Sequence, residues 1–521
     1  MWNTRPTKID KEVSNMNFQT QQAKMYAKEG TSFPGKTYAK VVLEPAFEEA
    51  KVHLLAPMMA INKAHVIMLK EQGLLSMEEA RRIAYALQKL DVDTLRQSSY
   101  TGEYEDLFFQ VESQLLELAG DIAGNLHIAR SRNDMGICIY RMVLREKLLA
   151  TYSSGMLLHK HLLLVAQENI DTIMVGYTHT QQAQPTTLAH YVMAMADSLE
   201  RDLRRLRSAY ENCNRSPMGA AALTTSGFAI SRVQMKELLG FDEMVENSYD
   251  AISGADYLGE AMLAVQLAAI NLGRSVQDFL LWCTQEFSAV RVADPYVQVS
   301  SIMPQKRNPV SLEHMRALLS SCVGTTNTVL SMMHNTPFGD IVDTEDDMQP
   351  YVWKSLSILD NMYHLLMAVI TTMQINKEFL LARVKGSFAT VTELADTLVR
   401  TDKLSFRTAH HIVSYVVQQA IKQGMTADQV TLHMVNEAAQ QVIKREVLLT
   451  EAELAEALDP VHFVTIRSLP GGPSPREMIR MIEARKTTQK LMQDWWQTAT
   501  LRCQTALSQL DYTLSTWSEN T

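Results

Sequence analysis

Positions 300 to 309 read Ser300-Ser301-Ile302-Met303-Pro304-Gln305-Lys306-Arg307-Asn308-Pro309. Two hydroxyls, a cation and a carboxamide fall in a segment interrupted by two prolines. Each proline fixes its own φ and pushes the preceding residue out of the helical region, so the segment is expected to be a loop. Convergent Ser, Lys and Asn side chains on a loop suit an anionic substrate and proton abstraction, though the same residues also compose an ordinary polar surface loop. A second group is His127-Ile128-Ala129-Arg130-Ser131-Arg132-Asn133-Asp134. Arginine forks bind carboxylates bidentately, and Ser and Asn add neutral hydrogen bonds. Read alone, this stretch is equally an exposed helix start capped by Asn133 or Asp134. A third group, Gly176-Tyr177-Thr178-His179-Thr180-Gln181-Gln182-Ala183-Gln184-Pro185, holds a Thr-His pair among three glutamines. Histidine carries protons near neutral pH. Glu313, seven residues after Lys306, could charge and orient such an imidazole.

The elements that must position these groups read as helices. Proline and glycine are sparse, at 15 and 21, and strict alternation is rare. Long helical patterns cover 141–169, 187–212, 256–287 and 311–333, with residues 176–185 joining the first to the second. Patterns beyond about 25 residues point to a helical bundle. The stretch 256–287 is apolar nearly all round, more than one chain can cover, so subunit packing is inferred. A break at Gly73 is followed by Ser76-Met77-Glu78-Glu79, a helix stop and then an N-cap with early acids. Later breaks fall at 424–426 and 469–473, and the last helix is expected over 475–507. The resulting division is an arm at 1–44, extended or poorly packed, an N-terminal helical domain at 45–128, a central bundle domain at 129–375 and a C-terminal helical domain at 376–521.

At 521 residues the chain exceeds one ordinary core. Its 46% hydrophobic and 21% charged residues are those of a folded globular protein rather than a disordered one. A net charge of −9 gives no basic footprint for nucleic acid. The most apolar run, 261–273, is too short to span a bilayer. Residues 1–10 are not followed by an apolar signal segment. Cys138, Cys213, Cys283, Cys322 and Cys503 are scattered, without a metal-binding spacing, which fits a reduced, cytoplasmic protein. The 30 methionines read as core filler.

The decapeptide at 300–309 resembles the signature loop of the aspartase/fumarase superfamily, whose members eliminate fumarate from succinyl-bearing substrates. Arg130-Ser131-Arg132-Asn133-Asp134 and Gly176 to Pro185 are similar to segments of its argininosuccinate lyase branch. So are Glu246-Asn247-Ser248-Tyr249-Asp250-Ala251-Ile252-Ser253, residues 389–400, and the stretch from Leu458-Asp459-Pro460 to Gly471-Gly472. The resemblance covers roughly residues 45–485. It implies an all-α, three-domain fold whose long central bundle assembles as a homotetramer, with sites shared between subunits and no metal or organic cofactor. It also implies roles. Ser300 would take the Cβ proton of an N-substituted L-aspartate, giving an aci-carboxylate that expels the amine as fumarate forms. Lys306 and Asn308 would stabilise the developing charge, and His179 with Glu313 would manage the leaving nitrogen's proton. Arg130, Ser131, Arg132, Asn133, Thr178, Gln181, Ser301 and Met303 would bind substrate.

Departures concentrate on the leaving group. Where the branch has a tyrosine, a glutamine and a lysine after the signature helix, this chain has Asp340, Glu345 and Met348. Losing a cation and gaining two carboxylates disfavours an amino-acid carboxylate and favours an amine-bearing leaving group. Capping of a helix start is the plainer reading of those acids. Ala129 replaces the family glycine before the arginine–serine–arginine string, and Phe108 stands where a histidine is expected. The resemblance thus implies a lyase for an aminocarboxylate such as ethylenediamine-disuccinate, with a true argininosuccinate lyase or a non-catalytic, crystallin-like homologue as alternatives.

Overall fold

The computed structural model describes residues 18–518; residues 1–17, including the stretch read above for a signal segment, lie outside them. The fold is all-α. Five long helices form its centre: Arg132–Glu168, Leu188–Cys213, Asp256–Trp282, Val310–Met333 and Gln349–Thr372. The first packs on the second, the second on the third, and so on round to the fifth, which returns to the first. They run alternately up and down, so the loops between them gather at two ends. One end meets the N-terminal helices, including Leu55–Glu71, Met77–Lys89 and Leu107–Ala119. The other meets a C-terminal unit with its own core, built from residues such as Leu398, Ile412, Val435 and Leu454.

Local chemistry explains most helix ends. Ser76 is the expected N-cap, and with Glu79 it forms a capping box, each side chain taking up the other's orphan backbone N–H. The first bundle helix starts at Arg132, nine residues earlier than expected. Ser131 and Asp134 make a second capping box there, so Ser131 is the cap rather than Asn133 or Asp134. The third stops at Trp282, short of residue 287. The last helix, Pro475–Ser518, is 44 residues long and runs past the expected end at 507. It leaves the C-terminal core and lies along the first bundle helix to the N-terminal domain. Arg485 pairs with Asp197 at 2.8 and 3.0 Å, Trp496 Nε1 donates to Leu149 O at 3.0 Å, and Lys63 Nζ reaches Asp511 Oδ1 at 2.5 Å.

Two expectations need correction. The described part of the arm is helical, not extended: Phe18–Glu29 is an α-helix, although none of its residues is buried. The connector at 176–185 is a β-hairpin, Ile173–Thr178 paired antiparallel with Gln181–Thr187. Its inner face packs Ile173 and Val175 on Val384, Ala389 and Val464 of the C-terminal region.

Leu263, Ile270 and Leu281 of the third bundle helix remain 53%, 43% and 42% exposed, an apolar stripe that the single chain does not cover. Among the described residues no single helix is long and apolar enough to cross a membrane.

Candidate active site

The sequence motifs divide between the two ends of the bundle. The end next to the N-terminal domain holds Ser131, Arg132, Asn133, Asp340 and Glu345. Asn133 Nδ2 donates to Asp340 Oδ2 at 2.7 Å, joining residues 207 positions apart. The Ser131 hydroxyl donates to Asn133 Oδ1 at 2.8 Å, fixing which edge of the amide faces Asp340. Asp134, fully buried, is the anchor beneath them. It accepts backbone N–H bonds from Ser131 (3.0 Å), Gly219 (2.9 Å) and Ala221 (3.0 Å), tying the helix start to the loop after the second bundle helix. Burial still pushes its carboxyl up to about 6.

Ala129, in place of the family glycine, has φ 57°, the left-handed region where a Cβ is disfavoured. Phe108 is buried edge-on against Phe109 and His127. Arg130 turns inward: it is 9% exposed and donates to Asn62 Oδ1 at 2.6 Å, facing the N-terminal core rather than the Asn133 group. Arg132 lies over the Phe109 ring at 4.7 Å and donates to Asp106 at 2.9 Å.

Glu345 lies half-buried within hydrogen-bond reach of Asp340. Burial, the Asp340 hydrogen bond and the charges of Asp340 and Asp346 together push its carboxyl up to about 9. Asp346 accepts the Tyr140 hydroxyl. Tyr249 stacks on Phe338, with centroids 5.9 Å apart, and its hydroxyl donates to Phe338 O at 3.1 Å, bracing the chain that leads to Asp340. Tyr249 belongs to the 246–253 segment noted in the sequence, though nothing there assigned it a role, and Asp346 and Tyr140 had no distinguishing signal beyond their nearness to the motifs.

The raised Glu345 carboxyl has a stability consequence. The folded chain keeps a proton there that the unfolded chain loses, so stability declines as pH rises from about 4.5 through about 9. Glu345→Gln, which has no proton to lose, is expected to stabilise the protein at pH 8 by on the order of 2 kcal/mol after solvent screening, and not at pH 4. Urea unfolding at the two pH values reads this directly; an equal effect at both would mean that Glu345 ionises without penalty.

The opposite end holds Thr178, His179, Gln181, Ser300, Ser301, Met303, Lys306, Asn308 and Glu313. The expected loop is closed by a short antiparallel pairing of Gln298–Val299 with Arg307–Asn308, and Ser300 N donates to Lys306 O at 3.3 Å. The Ser300 hydroxyl oxygen accepts two backbone N–H groups, Met303 at 3.1 Å and Ile302 at 3.4 Å. Donors aimed at that oxygen favour its deprotonated form. Ser301, Met303 and Lys306 are exposed, and Asn308 is half-buried in the short strand. His179 and Thr180 form the hairpin turn with φ 51° and 62°, so Thr178 and His179 project at an exposed tip. Paired positive φ values mark a type I′ turn, which usually takes Asn-Gly. Glu313 is exposed, in the first turn of its helix. Among the described residues, no hydrogen bond or ion pair joins His179 to Glu313 within this chain.

At about 1.5 Å rise per residue, the 24 residues of Val310–Met333 separate the two ends by about 36 Å. No small molecule bridges that span.

Residues 18–324 match the Lyase family and residues 388–465 match the argininosuccinate lyase C-terminal family. Argininosuccinate lyase 2 of Agrobacterium fabrum is 40% identical over 453 residues, covering 86% of this chain and 89% of its own. The chain belongs to the argininosuccinate lyase branch of the aspartase/fumarase superfamily. Argininosuccinate lyase 1 of Shouchella clausii is 36% identical over 87% of this lyase and 92% of its own length. Among solved structures, EDDS lyase in complex with formate superposes with a TM-score of 0.83 at 30% identity, covering 95% and 98% of the two chains. A variant of EDDS lyase with bound fumarate gives 0.82 at 29%. A class II fumarase from Schistosoma mansoni shares the fold at 16% identity and a TM-score of 0.65. The protein is thus a carbon–nitrogen lyase of the fumarate-forming type.

Proposed function

We propose that this lyase eliminates fumarate from an N-substituted L-aspartate whose leaving group carries an amine, in a reversible reaction. The observation that carries the reading is the Ser300 hydroxyl, held by the backbone N–H groups of Ile302 and Met303. A serine so placed is a competent base, because its alkoxide is met by donors already in position. Ser300 takes the Cβ proton, and the electron pair moves into the adjacent carboxylate to give the aci-carboxylate. Lys306 and Asn308 hold that charge. Collapse breaks the Cα–N bond, and His179, supported by Glu313, manages the proton on the departing nitrogen. Ser131, Asn133, Thr178, Gln181, Ser301 and Met303 bind the succinyl carboxylates, Arg132 adds positive charge, and Asp340 and Glu345 face the leaving group.

These residues lie at two ends of one bundle, so the working form is a homotetramer in which each site is drawn from more than one subunit. The uncovered apolar stripe of the third bundle helix supports this assembly. The free cysteines fit a cytoplasmic setting.

The test is fumarate release, followed by ultraviolet absorbance, from ethylenediamine-disuccinate, argininosuccinate, an N-alkyl aspartate, adenylosuccinate and aspartate. Turnover of the aminocarboxylate is expected. Turnover of argininosuccinate alone would make this an arginine-pathway enzyme and leave Asp340 and Glu345 as capping residues. Silence on the whole panel would sink the reading.

A further inference from the structure

The corner around Asn133 has more carboxylates than its own cations neutralise. Arg132 is already engaged by Asp106 at 2.9 Å and approached by Glu105 at 3.5 Å, both from the N-terminal domain. Asp340 is held by Asn133, a neutral donor. Glu345 turns its carboxyl to Asp340, and Asp346 is satisfied by the Tyr140 hydroxyl. Beside them, the Tyr257 hydroxyl is buried at 1% exposure and has no hydrogen-bond partner among the described residues. It is close enough to Glu345 to feel that group's charge. Two carboxyl groups in mutual hydrogen-bond reach cannot both ionise without strong repulsion, so one proton sits between them.

We propose that the Asp340–Glu345 pair is the receptor for a cationic nitrogen on the leaving half of the substrate, and that the arriving cation displaces the pair's shared proton to solvent. This rests on the reading of the Asn133 end as part of the substrate site. The groups around Glu345 support the exchange. Asp340 and Asp346 favour a positive charge there, Arg132 opposes it and is spoken for by Asp106, and Tyr140 and Tyr257 are neutral. An ammonium restores the charge balance that the proton supplied, and it brings N–H donors to two carboxylates at once. A leaving group ending in a carboxylate meets the same corner as repulsion. The pair therefore selects diamines and related polyamines over amino acids as the departing nitrogen compound.

The experiment compares kcat/KM of the assembled full-length enzyme for N-(2-aminoethyl)-L-aspartate and N-propyl-L-aspartate, which differ by an ammonium against a methyl group. At pH 8 the aminoethyl compound is expected to be favoured by about tenfold or more, the range of a close charge contact. Because the shared proton must leave, the preference should climb with pH by up to about tenfold per unit, from pH 6 towards the Glu345 range near 9. Glu345→Gln has no proton to release and should flatten that climb. Asp340→Asn removes one of the pair's two carboxyl groups and should lower the preference at pH 8. A preference near one, or a pH slope unchanged in Glu345→Gln, with both compounds turned over, overturns the proposal while leaving the lyase reading intact. If neither compound is turned over, the proposed substrate class fails. Calorimetry with 1,2-diaminoethane in buffers of different ionisation heat then decides the pair: binding with release of a proton supports it, and no binding ends it.

Discussion

Ser300→Ala lowers fumarate formation by about 10³-fold or more and leaves substrate binding largely intact; that is the expected result of the simplest substitution in this protein. The size follows from what alanine removes. The hydroxyl is the acceptor for the Met303 and Ile302 N–H groups and the only atom at that position able to take a proton. The backbone that frames it does not depend on the side chain. Ser300 N still donates to Lys306 O, and the pairing of Gln298–Val299 with Arg307–Asn308 remains. The variant should therefore assemble, bind an N-substituted aspartate in calorimetry and fail at proton abstraction, with the loss in kcat rather than KM. Turnover within tenfold of the parent would show that another group removes the proton. Ser301→Ala separates the two hydroxyls: the oxygen of Ser301 receives neither of those two N–H bonds and is proposed to bind a carboxylate, so its loss should fall on KM rather than kcat.

A second large effect concerns pairs of variants. Ser300→Ala damages one end of the bundle and Asn133→Ala the other, and about 36 Å of helix lies between them. If each site draws one end from one subunit and the other end from a neighbour, hybrids of the two inactive chains contain some sites with both halves intact. Random mixing gives roughly a quarter of the sites in that condition, so co-expressed variants should recover to roughly a quarter of parental activity. Activity in the mixture no greater than the sum of the two parents would show that a single chain carries a whole site, and the proposed assembly would be wrong.

How far the sequence predicts such a site depends on the range of the contacts. The loop at 300–309 was legible because prolines act locally: they exclude helix whatever the surroundings. The bundle helices were legible from periodicity. The start of the first was placed late, because a capping box completed by Asp134 rather than Glu or Gln is a weaker written signal. The hairpin was missed for a similar reason. His179 and Thr180 occupy turn positions that usually announce themselves as Asn-Gly, and Pro185 argues against a strand. Tertiary packing on Val384, Ala389 and Val464 outweighs those local preferences. Arg130 and Arg132 are two residues apart and look equivalent in the sequence, yet the turn between them sends one into the core and leaves the other at the site. The Asn133–Asp340 bond was out of reach of any local rule, since only the folded bundle brings positions 207 apart into contact.

The bundle has five helices, and five is odd. A chain that crosses an odd number of times enters at one end and leaves at the other, so its two flanking domains sit at opposite poles. Ser300 and Asn133 inherit that polarity. With an even count, entry and exit would share a pole, and a self-sufficient monomer would be easier to build. With an odd count, the assembly proposed above has a neighbour lying head to tail supply what each chain lacks. In that arrangement a twofold axis across the pair repeats the junction at the far pole, one contact geometry yields two reaction centres, and a change at either pole would be felt at a junction with another copy.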